Sequence, residues 1–423
     1  MNSGSSAKKL LQSGVIFTAI SFLASLIHYV FQIMVSRQLD RSPGEFGLMN
    51  NTITLIGFLG LPLAIATQAV THYISRFHFS GDDARLHGLL AGCRKFLFHI
   101  TVAGSIAAII LVKPLGDYFH IPRAALTFIA LVCVLGNLWC SYVSALCQGL
   151  GWFKRLALIA LLAALARLAF GWPATTVSPI AEWAVLASAT MMLPNLILFF
   201  WRHEFPRRAK TAISPWDSQF VQFVVVSAAW AVGSNFFLKG DTLVAQRHFS
   251  TGDRDAYSAA ETLAVALVTA VGPLLTVLFT HRSSRQHHHD DALWDQLKLI
   301  GLYAAGLLFG AICLCLLRGF CLQVFHRNTP EAVAAVGRLA VTMVFVGLLQ
   351  AIGTWALASR WIKISLLYGL LGLGYWAFIL TVGKTPETLL RAMPVATGIA
   401  FAILFSFWFT AMRRHKLVVD DAV

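Results

Sequence analysis

The sequence predicts an all-α, polytopic membrane protein of about twelve transmembrane helices. Three observations carry that prediction. Hydrophobic residues make up 57% of the 423-residue chain and charged residues 12%, where soluble domains carry about 25% charged residues; mean hydropathy is +0.71. The apolar residues gather into about twelve runs of roughly the 20 residues that a helix needs to cross a bilayer. Lys and Arg then alternate between the joining segments. Of the 33 such residues, about 20 fall in the amino terminus, every second loop and the carboxyl terminus, and about 12 in the remaining loops. Positively charged loops stay in the cytoplasm, so both termini are expected there. The net charge of +14 is thus a topology signal. A nucleic-acid footprint would need that charge clustered on a soluble domain, and the runs leave no room for one.

The spans are read at 13–36, 46–74, 93–112, 124–147, 156–172, 180–201, 218–242, 256–280, 296–317, 332–357, 361–382 and 389–411. The first follows Lys8 and Lys9, is long, and lacks an Ala-x-Ala end, so it reads as a retained span rather than a cleaved signal peptide. Pro62, Pro194 and Pro273 interrupt spans two, six and eight as candidate bending points. The longer joining segments, near 75–92, 202–217 and 281–295, carry Gly, Ser, Pro and charge and belong to the cytoplasmic side. His287, His288 and His289 lie in the last of these. Without ligand spacing or an apolar shell they read as a solvated loop rather than a metal site. The seven cysteines lie in or beside apolar helices without a CxxC pair, so they read as small buried residues; no metal or cofactor is expected.

The chain repeats itself at an offset of about 210 residues. Met34 through Leu39 falls on Val244 through Phe249, with Arg37 over Arg247, and Pro62 falls beside Pro273. Ser75–Arg76 matches Ser284–Arg285, Phe119–His120 matches Phe325–His326, and Trp152–Phe153–Lys154 matches Trp361–Ile362–Lys363. Six spans per half, an even number, keep both halves in one orientation. The expected architecture is an amino-terminal lobe, 1–210, and a carboxyl-terminal lobe, 211–423. Two such lobes around a central cavity would work by alternating access.

The segment from Phe237 to Arg285 carries Asp241–Thr242–Leu243–Val244, Arg247–His248–Phe249–Ser250, Ala256–Tyr257–Ser258–Ala259–Ala260 and Pro273. It resembles the seventh and eighth spans of bacterial polysaccharide and oligosaccharide (Wzx-type) flippases of the MATE-like MOP superfamily. There an Asp-containing helix end precedes a short loop and a Gly-Tyr-Tyr-Ser-like helix start. Ser144 through Phe153 is similar to the end of that family's fourth span, and Glu45–Phe46–Gly47 to the start of its second. Ala256 stands where the family often has Gly, and Phe279–Thr280 where Pro often follows Phe; both departures leave the subfamily open. The resemblance implies residence in the bacterial inner membrane. It also implies export of a lipid-linked glycan on a polyprenyl phosphate or pyrophosphate to the outer leaflet, for cell-surface polysaccharide assembly. Expected partners are that glycolipid, membrane lipids and other polysaccharide-assembly membrane proteins.

A charge inside a span costs several kcal/mol unless it meets water or a partner, so in-span charges are the first site candidates. Arg167 is the deepest, about 18 Å past Arg155 at helical rise. Its guanidinium could hold a phosphate by paired hydrogen bonds or form a structural ion pair with Glu182. Lys239 and Asp241 fall on different faces of span seven. Lys239 could take an anion at the cavity mouth, and Asp241, like Glu182, is a candidate coupling group; snorkelling to water is the plain alternative. Arg37 and Arg247 read as topology ahead of phosphate contact. Glu261, near the expected start of span eight, suits the helix dipole. Gln32 and His28 share one helix face, and with Asn235 offer donors and acceptors for sugar hydroxyls. Asp253–Arg254–Asp255, after Ser250–Thr251–Gly252, reads as a solvated turn.

The competing function on the same fold is a MATE-like antiporter exporting small organic cations or drugs, which would place carboxylates in the cavity. Arg167 as the deepest charge favours anions instead. A membrane glycosyltransferase or polymerase would need acidic metal-binding motifs or a large outer loop, and a channel a repeated filter segment; neither pattern is present.

Overall fold

In lipid every backbone polar group must be satisfied within its own segment, which leaves helices for a chain of this composition. The structure is a computed structural model. It describes residues 3–119, 121–201, 218–284, 291–359 and 361–420. Side chains at 3–15, 198–201, 218–220, 276–284, 291–297 and 414–420, and those of Thr18, Phe79 and Leu299, are excepted. No strand occurs among the described residues. The positions 202–217, the run His287–His289, His120, Arg285 and Arg360 lie outside them, so the charge pattern and repeat matches resting on these residues stay sequence readings.

The chain divides into two compact units, Met1–Val224 and Val225–Val423. The first holds α1 (Ser3–Leu39), α2 (Glu45–Leu59), α3 (Leu61–Ser80), α4 (Asp83–Tyr118), α5 (Ala124–Gly149), α6 (Phe153–Val177), α7 (Ala181–Thr190) and α8 (Leu193–Trp201). The second holds most of α9 (Ser218–His248), then α10 (Thr251–Ser284), α11 (Asp291–Val324), α12 (Pro330–Ala358), α13 (Ile362–Val382) and α14 (Pro386–Asp420). The division expected at 210/211 falls outside the described residues. Among the described residues, ten helices are long and apolar enough to cross a membrane, eleven if α2 and α3 form one bent span. The predicted sixth span, 180–201, is the remaining one, formed as the two short helices α7 and α8.

The breaks follow from residue chemistry. α2 and α3 meet at 48°, where Gly60 ends one helix and Pro62 stands in the first turn of the next. Proline is tolerated there because the N–H it lacks has no intrahelical acceptor. Pro194 likewise sits at the start of α8, after the gap at 191–192. Pro273 instead lies inside unbroken α10, so only two of the three expected bending points mark a break. α4 and α11 expose large apolar side chains along their length, among them Phe96, Ile106, Ile109, Phe309, Ile312 and Leu316. These are lipid-facing surfaces in a bilayer.

The repeat is visible in how helices begin and end. Trp152 and Trp361 are the N-cap residues of α6 and α13. Phe119 caps the end of α4, and Phe325 directly follows α11. An ion-pair motif repeats as well. Arg123, just before α5, sets Nη2 2.6 Å from Glu45 Oε2 and Nε 2.9 Å from Glu182 Oε1. Glu45 Oε2 also accepts the Ala181 N–H at 2.7 Å, so the starts of α2, α5 and α7 are tied together. In the second unit Arg327 pairs with Asp255 at 3.4 Å, joining the starts of α10 and α12. Glu387 there turns to Arg391 within its own first turn, at 2.5 Å.

The triplet Asp253–Arg254–Asp255 is therefore not a solvated turn. It forms the first turn of α10: Asp253 accepts the Ser250 hydroxyl at 2.7 Å, Arg254 Nε donates to Phe249 O at 3.0 Å, and Asp255 is buried against Arg327. Replacing Arg123 by Ala would leave two mostly buried carboxylates facing each other. The half-exposed arginine moderates the effect, so the expected loss is about 1–3 kcal/mol, below that of a fully buried pair. Arg123→Lys should recover only part, because one ammonium cannot fork to two carboxylates. Unfolding in detergent measures both.

Candidate functional site

Besides its helix-start ion pairs, each unit holds a buried polar cluster against its first long helix, α1 or α9. In the first unit the cluster lies where α1 packs along α6. Arg167 is 8% exposed, and its Cζ lies 4.2 Å from the centroid of the Phe31 ring. Gly171, one turn further along α6, makes room for that ring. A Cβ there would come within 2.3 Å of Phe31 Cε2 and 2.8 Å of the Ala187 methyl. His28 and Gln32 flank Phe31 on α1. His28 lies within electrostatic range of Arg167. Arg167 Nε, His28 Nδ1 and Gln32 Oε1 are buried without a protein hydrogen-bond partner. Beyond Arg167 the same two helices are stapled: Gln38 Nε2 donates to Thr176 Oγ1 at 2.6 Å, and the Thr175 hydroxyl donates to Gln38 Oε1.

The alternative partner for Arg167 is taken. Glu182 pairs with Arg123 at 2.9 Å, and no described carboxylate lies within ion-pair distance of Arg167. Glu182 is thus part of the helix-start motif rather than a neighbour of the deep arginine. The remaining contact is the Phe31 ring. A cation over a ring gains about 2 kcal/mol when desolvated, whereas removing a guanidinium from water costs several kcal/mol even after relaxation. The ring alone does not offset that cost. An anion with oxygens to fill the guanidinium fork would.

The second cluster joins α9, α10, α13 and α14. Asp241 is fully buried and Glu261 is 1% exposed. Lys239 Nζ lies 2.6 Å from Glu261 Oε1, and the Thr242 hydroxyl donates to the same oxygen at 2.8 Å. Tyr257 donates to Asp241 Oδ2 at 2.5 Å and also lies 3.5 Å from Met393 Sδ. Asp241 Oδ1 has no partner, and no described cation lies within ion-pair distance of it. Tyr375 lies within electrostatic range of both carboxylates. The two carboxylates differ in their contacts: Glu261 Oε1 meets a cation and a hydroxyl, while Asp241 keeps one oxygen without a protein partner.

Lys239 and Asp241 do not pair with each other, as their spacing predicts, but Lys239 faces a carboxylate rather than an open mouth. Glu261 is a correction of a different kind. α10 begins at Thr251, so Glu261 lies about three turns inside it, beyond reach of the helix-end dipole. Lys239 supplies its partner there. Arg37 and Arg247 sit exposed in the last turns of α1 and α9, where cations suit the helix end. Asn235 donates to Ala231 O of its own helix at 3.0 Å. Sequence reasoning missed Phe31, and it missed the contacts of Tyr257 with Asp241 and of Glu261 with Lys239. At the offset that lays Arg37 on Arg247, Phe31 falls on Asp241, so the ring under the first cluster's cation and the carboxylate of the second share one repeat position. Lys239→Met should lower stability by about 1–3 kcal/mol by leaving Glu261 without its cation, and adding Glu261→Gln should restore most of it. A double-mutant cycle on unfolding in detergent reads this coupling.

No family model and no curated protein matches the sequence. Solved structures do match along nearly the whole chain. An outward-facing multidrug resistance MATE family transporter of the MOP superfamily aligns with a TM-score of 0.72 at 12% identity, covering 96% of each chain. A MOP superfamily transporter from Pyrococcus furiosus, described as having a binding pocket of reverse polarity that suggests a different function, aligns at 0.68 and 12% identity, again over 96% of each. The eukaryotic MATE transporter AtDTX14 aligns at 0.67 and 10% identity over 96% of this chain and 98% of its own. At these identities the likeness is one of architecture, and the chain has the fold of the MATE transporters.

Proposed function

We propose that the protein is a flippase. It moves a lipid-linked oligosaccharide, or a related anionic glycolipid, from the cytoplasmic to the outer leaflet of the bacterial inner membrane, with both termini in the cytoplasm. The observation that carries this reading is Arg167: a buried guanidinium with an aromatic face below it, an unpartnered Nε and no carboxylate. A polyprenyl phosphate or pyrophosphate would supply the missing anion. His28 Nδ1 and Gln32 Oε1, also unpartnered, would take hydroxyls of the first sugars or a phosphate oxygen. Asp241 is the coupling residue of this scheme, poised by Tyr257 and set apart from the neutralised Lys239–Glu261 pair. The Pyrococcus furiosus protein of reversed pocket polarity supports the premise that one fold can host pockets of opposite charge. Other polysaccharide-assembly membrane proteins are proposed partners.

A second reading, export of small organic cations, is favoured by the unpaired Asp241 and by the multidrug transporter among the structural neighbours. The two readings differ in which residue holds cargo. Mass spectrometry of lipids copurifying with wild type should show an enriched polyprenyl-linked glycan, reduced about tenfold or more in Arg167→Ala, equivalent to at least 1.4 kcal/mol. Membrane level and unfolding temperature should stay near wild type, since the substitution leaves no carboxylate orphaned. Absence of any anionic glycolipid, with cation efflux abolished by Asp241→Asn, would establish the second reading instead.

A further inference from the structure

The joint between α11 and α12 carries two arginines that neither topology nor packing asks for. On the topology expected from the charge pattern this joint lies on the outer side, where Lys and Arg are sparse. Yet three of the roughly 12 basic residues assigned to that side, Arg318, Arg327 and Arg338, gather here. Arg327 is bound to Asp255. Arg318 and Arg338 have no ion pair and no side-chain hydrogen bond among the described residues. Arg318 stands six residues before the end of α11, and Arg338 eight residues after the start of α12. At helical rise they lie about 9 and 12 Å from those ends. Their sequence neighbours Leu316, Leu317, Phe320 and Val341 are exposed, so both arginines stand among lipid-facing apolar residues.

The internal repeat supplies a control. At the offset that lays Phe119 on Phe325, α5 and α12 begin together, at Ala124 and Pro330. Arg318 then falls on Val112, Gly337 on Leu131 and Arg338 on Val132. The first unit builds the same helix pair from ordinary apolar residues, so the fold does not require the arginines. The glycine is matched to one of them. A Cβ on Gly337 would lie 3.3 Å from Arg318 Nη1, so the guanidinium lies against α12 in a notch that a leucine would fill. Arg318, Asn328, Pro330, Val333 and Ala334 line an open groove of about 430 Å³ there, within the size range of small-molecule sites. The groove lies at the N-terminus of α12, where the helix dipole favours an anion. Glu331, in the first turn of α12, is exposed and pairs with neither arginine. A lone arginine on a lipid-facing helix would only snorkel to the interface. Here a seated guanidinium, a second cation and an amide share one corner.

We propose that the α11–α12 groove binds the phosphate headgroup of an anionic glycerophospholipid in the outer leaflet. The Arg318 fork takes the phosphate oxygens, Arg338 adds charge beside it, and Asn328 meets the polar end of the headgroup. The acyl chains lie along Leu316 and Phe320. The groove is open to the bilayer, where phospholipid outnumbers every other phosphate-bearing lipid, so a phospholipid and not the transported cargo is the occupant. The site is separate from Arg167 and does not depend on the transport reading.

Native mass spectrometry of the purified full-length protein, titrated with phosphatidylglycerol or phosphatidylcholine, tests the site. Wild type should hold its tightest phosphatidylglycerol at least tenfold more strongly than phosphatidylcholine. The double variant Arg318→Gln/Arg338→Gln should lose that preference while its unfolding temperature without lipid stays near wild type. Gly337→Leu keeps both charges and installs the residue of the first unit; it should weaken phosphatidylglycerol binding severalfold. Arg391→Gln, which removes an exposed arginine elsewhere, should change nothing. Equal affinity for the two lipids in wild type, or a preference that survives the double variant, would overturn the site. Unchanged binding in Gly337→Leu would reduce it to diffuse charge and overturn it as well. Undecaprenyl phosphate added in equal amount should leave phosphatidylglycerol bound, and its displacement would overturn the assignment to a phospholipid.

Discussion

A charge buried in a membrane protein must find a partner, and in this chain one does not find it inside the protein. Arg167 has an aromatic ring beneath it and no carboxylate beside it. Most other described buried charges are arranged around partners of opposite sign, Arg123 with Glu45 and Glu182, Arg327 with Asp255, Lys239 with Glu261, and Asp241 takes a hydroxyl from Tyr257. That contrast gives Arg167 its meaning. Ion pairs at helix starts hold the scaffold, whereas a guanidinium left open within a span is a standing demand for an anion.

Duplication explains how one fold acquired two chemistries. The helix-start motif Glu45–Arg123 and its counterpart Asp255–Arg327 hold both units in the same pattern. Within that frame single positions diverged. Phe31 and Asp241 occupy the same place in the repeat, yet one supports a cation and the other is itself the acid. In the flippase reading proposed above, the cation of the first unit would serve as the headgroup site and the acid of the second as the coupling site.

Much of the fold was legible because lipid imposes a simple rule on composition. Runs of about 20 apolar residues become helices, and the spans at 124–147 and 361–382 match α5 and α13 closely. Where helices continue past the apolar run, as α4 does from Asp83 to Tyr118, hydropathy marks only the membrane-embedded part. The break between α7 and α8 was legible only through Pro194, because Met191, Met192 and Leu193 keep the run apolar across it. For the site, depth singled out Arg167, whereas Asp241 stood out as a charge within a span. Their partners were hidden for a physical reason. Phe31 looks like any lipid-facing aromatic until Gly171 is seen to seat it. Glu261 looks like a helix-start acid because the polar turn Thr251–Asp255 disguises the true beginning of α10. Arg123 and Glu182 are separated by two whole helices, α5 and α6, and no local pattern reports their contact.

The most direct measurement of the account is a binding comparison on the purified wild-type protein between a polyprenyl phosphate and the corresponding neutral polyprenol. The two ligands share their apolar tail and differ in the one group that Arg167 is argued to hold. A charge-assisted hydrogen bond contributes about 1.5–3 kcal/mol, so the phosphate form should bind about tenfold or more tightly, and Arg167→Gln should remove most of that preference. Equal affinity for the two lipids in wild type would contradict the claim that the buried guanidinium is an anion site.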